Sequence, residues 1–178
     1  MRRLNSAVTV LIAALFAVHA ALGGFQLMGV LGSSPVRKAL AWIMLGLVGV
    51  HMLISIKLTA DTFIALRRSG ACYFRENKLF WIRRISGIAL MFFILSHLLI
   101  FFRNGEPVRL GFFGTAQLIT QILLGATLAL HILTDLRPLM ISLGLKSCKE
   151  LMLDGLFITS VILLFSGAGF AVYFIRWL

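Results

Sequence analysis

Carboxylates are scarce in this chain of 178 residues, where six Asp and Glu stand against 17 Lys and Arg. None of the six lies near the middle of an apolar run, which argues against the intramembrane acidic relay of proton and ion transporters. Cysteine is scarcer still. Cys72 and Cys148 are isolated, so neither a C-x-x-C-H for covalent haem nor a repeated C-x-x-C for zinc or iron–sulfur is present. Long polar stretches are absent as well, which leaves no room for a sizeable soluble domain.

What the chain has in quantity is apolar surface. With 60% hydrophobic residues, 13% charged residues and a mean hydropathy of +1.01, it is solvated mainly by lipid, as an integral membrane protein is. The excess of basic residues would suggest nucleic acid in a soluble protein. Here those residues sit at the ends of apolar runs, the placement of the positive-inside rule, and a nucleic-acid partner is not expected.

A membrane-crossing helix needs about 20 mostly apolar residues. Five segments qualify, at about 6–31, 39–58, 82–102, 112–134 and 153–175. Pro35, Gly105-Glu106-Pro107 and Arg137-Pro138 punctuate the turns, and "KLTADTFIALRR" is expected to continue the second helix beyond the lipid. The expected fold is a single all-α membrane domain over residues 1–178, its first four helices an up-and-down bundle. "MRRLNSA" and "VHA" resemble parts of a signal peptide, but the apolar run is long for one and is read as a span.

With the N terminus in the cytoplasm, twelve basic residues lie inside: Arg2, Arg3, Lys57, Arg67, Arg68, Arg75, Lys78, Arg83, Arg84, Arg137, Lys146 and Lys149. Five lie outside: Arg37, Lys38, Arg103, Arg109 and Arg176. The bias predicts N-in and C-out, and it puts both cysteines in cytoplasmic loops as reduced thiols.

The four histidines, His19, His51, His97 and His131, each fall in a different one of the first four spans. An intramembrane imidazole must find a partner. A hydrogen bond to a neighbouring helix would satisfy one histidine; one per helix over four helices points to a shared task. At about 1.5 Å of rise per residue, His51 and His131 lie roughly 9 Å from the inner boundary, and His19 and His97 roughly 18 to 20 Å from it.

Each depth pair belongs to one diagonal of an up-and-down bundle. Two opposed imidazoles are what a six-coordinate haem iron needs besides its four porphyrin nitrogens. The expectation is therefore a bundle around two haems, the outer held by His19 and His97, the inner by His51 and His131. Zinc or copper would need four imidazoles at one depth.

Gly23, Gly46, Gly49 and Gly125 lie near these histidines and leave space either for a ring or for helix packing. Phe93 and Phe101 share a face with His97. Arg83, Arg84 and Ser86 are placed to hold the propionates of the inner haem, or the arginines anchor the helix end at the headgroups.

At "FWIRRISGIALMFFILSHLL" the chain resembles the membrane cytochrome b subunit of the succinate dehydrogenase and fumarate reductase family. There an Arg with a following Ser or Gly opens the helix, and a haem-ligand His comes about three turns later. The five-helix, two-haem branch has ligands on its first four helices in the order of His19, His51, His97 and His131. The resemblance implies two haems b and a quinone, menaquinone or ubiquinone, as substrate. It also implies a bacterial inner membrane, and electron transfer between the quinone pool and an iron–sulfur subunit that serves a flavoprotein on the cytoplasmic face. "RENKLFWIRR" and "KSCKE" would be the docking surface.

No carboxylate stands in "GGFQLMGVLGSSPVRK", where some relatives place one for quinol deprotonation. An outer quinone site would then use Glu106, Gln26 or Arg103, and an inner one would lie near Asp61, Ser86 and Asp135. Other dihaem cytochromes b, serving a hydrogenase, formate dehydrogenase or nitrate reductase, are the nearest alternatives. A haem-free scaffold or small transporter is the alternative from another class.

Overall fold

A computed structural model describes residues 1–70, 77–102, 113–145 and 149–177. Those residues form five helices: α1 (Arg2–Leu27), α2 (Pro35–Ser69), α3 (Lys78–Phe102), α4 (Thr115–Ser142) and α5 (Lys149–Trp177). All five are long and apolar enough to cross a membrane. Their large apolar side chains point outward, as Ile88, Phe92, Phe157, Leu164 and Ile175 do, the reverse of a water-soluble bundle and the expected arrangement in lipid.

Local chemistry sets the helix ends. Pro35 occupies the first turn of α2, where its missing N–H is no loss, and Asn77 accepts a hydrogen bond from the Phe80 N–H to cap α3. Gly70 ends α2 at φ 65, a left-handed conformation open to glycine without strain. α1 stops at Leu27, short of the expected residue 31, because Gly29 at φ 77 turns the chain.

Pro138 does not mark a turn. It lies inside α4, which runs on to Ser142, and one turn before it the Thr134 hydroxyl hydrogen-bonds back to the carbonyls of Leu130 and His131. Such local side-chain bonding accompanies proline in membrane helices. α2 has 35 residues, about 52 Å at 1.5 Å each, well beyond a hydrocarbon layer of ~30 Å. The segment "KLTADTFIALRR" is thus a continuous helical overhang, tied to the start of α3 by the Phe63 and Trp81 rings, 5.5 Å apart.

α1 packs against α2 and α5, and α4 packs against α3 and α5; α1 and α4 touch more lightly. At the α1–α5 crossing a Cβ on Gly169 would meet the Gly24 Cα at 3.3 Å, and one on Gly24 would strike the Phe165 ring. Two glycines therefore bring these backbones together. The Ser6 and Ser142 hydroxyls hydrogen-bond at 2.5 Å, setting the N-terminal end of α1 beside the C-terminal end of α4. That end is called the near end below, and the end carrying Leu27 and Pro35 the far end.

Candidate functional site: four imidazoles in two clusters

The first cluster lies toward the far end. His19 on α1 and His97 on α3 have ring centroids 6.2 Å apart and nearly perpendicular planes, although the backbones of α1 and α3 make no extensive contact. The two imidazoles thus approach each other between helices whose backbones are not closely joined. Phe101 packs on His97 at 4.7 Å, and Phe170 of α5 stands 6.4 Å from it. Beyond them Phe113 and the fully buried Tyr173 close an aromatic cluster. Phe93 instead packs against Phe92.

The His97 Nδ1 bonds to the Oε1 of Gln121 at 2.7 Å. The roles in this bond follow from its neighbours. The Thr120 hydroxyl donates to the Gln117 carbonyl and so accepts from the Gln121 Nε2, which turns the amide oxygen toward His97. His97 is then the Nδ1–H tautomer and keeps its Nε2 lone pair free.

The second cluster lies toward the near end. The Ser86 hydroxyl donates to the Arg83 carbonyl and accepts from the His131 Nδ1 at 3.0 Å. The Thr9 hydroxyl donates to the Asn5 carbonyl and meets the His51 Nδ1 at 3.3 Å, a longer and weaker bond. Each hydroxyl has spent its one hydrogen on its own helix. Both histidines therefore donate from Nδ1 and keep Nε2 as the basic atom. His51 and His131 are close enough to interact electrostatically.

Gly87 completes the seat of His131, for a Cβ there would stand 3.4 Å from the imidazole Cε1. Arg83 pairs with Asp135 at 3.7 Å, and Asp135 lies 3.8 Å from the His131 Nε2, too far for a hydrogen bond. Arg84 sits over the Phe80 ring.

Among the described residues no three His, Cys, Asp or Glu gather as a ligand set for a bare metal ion. The histidines come in twos. No family model, curated protein or solved structure matches this chain. Function must therefore be argued from these side chains.

The other expected site residues are distributed along the chain. Ser86, expected at a propionate, hydrogen-bonds the His131 Nδ1. Gln26 lies in the last turn of α1, whereas Arg103 and Glu106 lie outside the described residues, as do Cys72 and Cys148. The structure joins Ser86 and Asp135 around His131, while Asp61 lines a shallow concavity on the overhang with Ile64, Ala65, Arg68 and Ser69. A Cβ added at Gly23, Gly46, Gly49 or Gly125 would meet nothing within 4 Å among the described residues, so these four glycines join none of the described helices.

Thr9, Gly87, Gln121 and Tyr173 were not singled out from the sequence. Gln121 had a signal: a side-chain amide within an apolar span needs a partner, and a histidine one helix away was available.

Proposed function

We propose that this chain is a dihaem cytochrome b, the quinone-reactive membrane subunit of a succinate:quinone or quinol:fumarate oxidoreductase. The observation that carries the reading is the state of the imidazoles. Three of the four have Nδ1 engaged by a side chain whose own hydrogen bonding makes it an acceptor, which leaves Nε2 to bind a metal. That combination of an oriented ring and a free basic nitrogen is the ordinary preparation of a histidine ligand.

The spacing of His19 and His97 supports the same reading. With metal–imidazole bonds of about 2 Å, two rings on one iron have centres roughly 6 Å apart, and these stand at 6.2 Å. The open space at Gly23, Gly46, Gly49 and Gly125 suits the flanks of a broad planar ligand. His19 and His97 would hold the outer haem, and His51 and His131 the inner one, within an up-and-down arrangement of the first four helices. Haem supplies reversible one-electron chemistry. The chain would supply the imidazole nitrogens that hold it, their orientation through Nδ1, and apolar surroundings.

In this reading the near end faces the cytoplasm of a bacterial inner membrane, with the C terminus on the other side. Its basic residues, among them Arg67, Arg68, Lys78 and Lys149, offer a surface for an iron–sulfur subunit and, through it, a flavoprotein. Quinone would exchange electrons at one edge, toward Gln26, Arg103 and Glu106 or beside Arg83 and Asp135. Dicarboxylate chemistry belongs to the partners.

The deciding experiment is a reduced-minus-oxidised optical spectrum of the purified chain with haem quantitation. Two b-type haems per chain are expected. A colourless protein, or one haem per chain, would overturn the proposal.

A further inference from the structure

The two helical hairpins, α1–α2 and α3–α4, use one plan twice. Corresponding residues recur at a nearly constant offset: Thr9 and Ser86 differ by 77 positions, His19 and His97 by 78, His51 and His131 by 80, Gly46 and Gly125 by 79. In each hairpin the first helix carries a hydroxyl ten or eleven positions before its own histidine. That hydroxyl bonds the Nδ1 of the histidine on the second helix. Each hairpin thus offers one imidazole to each cluster, and the near-end cluster is built alike from both sides.

The far-end cluster departs from the plan. Gln121, only 2% exposed, holds the His97 Nδ1 at 2.7 Å. Subtracting 78 to 80 positions leads to Ile43, Trp42 and Ala41, none of which carries a side-chain acceptor. Among the described residues no side chain hydrogen-bonds the His19 imidazole. One ring of this cluster is held tightly and the other is not, whereas both near-end rings meet hydroxyls.

We infer that Gln121 is a positioning residue that makes the far-end centre electronically distinct, by strengthening His97 alone as a ligand. A short bond from Nδ1–H to an amide oxygen pushes electron density onto Nε2 and raises its basicity. A more basic axial ligand favours the oxidised, more positively charged iron, so the bond lowers that centre's reduction potential. Ser86, an acceptor at longer range, does the same for His131 to a smaller extent. The inference rests on the proposed haem reading and adds to it a residue that tells the two centres apart.

The test is an optical redox titration of the haem-loaded protein and its variants, with haem counted in each. The far-end centre is identified as the one that His97→Ala removes. Gln121→Leu should raise the midpoint of that centre and leave the other in place. Gln121→Glu, which keeps an acceptor oxygen, should hold it at or below the unaltered value, and Ser86→Ala should raise only the other midpoint. Two haems with unmoved midpoints in Gln121→Leu, or equal shifts in both, would overturn the inference while leaving the haem reading intact. If Gln121→Leu does not fold, a rise in the far-end midpoint of Gln121→Glu overturns it instead. Absence of haem from the unaltered protein would defeat the proposed function itself.

Discussion

A histidine inside lipid is expensive unless its two nitrogens are both used. In this chain Nδ1 is satisfied by a neighbour at three of the four positions, and the remaining nitrogen defines the chemistry. Replacing His97 by Ala should remove one of two haems and spare the other, read as a halved haem content with a single remaining redox transition. Gly87 gives a second test at this scale, because a Cβ there already stands 3.4 Å from His131. Gly87→Val adds two more methyl groups against the imidazole, and its expected result is selective loss of the near-end centre in the same haem assay.

At the scale of the element, glycine does two jobs that composition alone does not separate. Gly24 and Gly169 let α1 and α5 touch backbone to backbone. Gly169→Leu should overpack that crossing and destabilise the protein by roughly 1 to 3 kcal/mol, measured as a lowered thermal midpoint in detergent. Gly46→Ala and Gly125→Ala, which face open space, should leave the unfolding midpoint of the haem-free chain nearly unchanged. The number and approximate placement of the helices were readable in advance because about 20 apolar residues between basic ends have few other uses. The partners were not readable. Ser86 sits two turns into α3, yet its role depends on a hydroxyl already donating to the Arg83 carbonyl, and Gln121 acquires meaning only once α4 lies beside α3. Pro138 reads as a turn from sequence alone, yet a membrane helix tolerates an internal proline because its surroundings and local backbone adjustment can satisfy the freed carbonyl.

For the whole molecule, orientation and loading are the open measurements. With the near end in the cytoplasm, Cys72 and Cys148 should resist a membrane-impermeant maleimide on intact cells and react once the membrane is broken. Labelling of intact cells would reverse the assignment. Any ligand that binds only the folded chain stabilises it in proportion to the logarithm of its excess, about 2.7 kcal/mol at a hundred times its dissociation constant. Haem-loaded protein should accordingly unfold at a clearly higher temperature than the haem-free chain, and equal midpoints would count against cofactor binding in the fold.

α5 carries no histidine, yet it is the element against which both α1 and α4 are packed. It acts as the spine of a book whose two covers are the hairpins. On the side away from the spine, α2 and α3 meet through Phe63 and Trp81 and otherwise lack an extensive backbone seam. If the chain holds haem as proposed, that lightly joined side is where a flat ligand would enter from the lipid. Insertion of the bare chain into the bilayer and its maturation with pigment would then be separable events in its biogenesis.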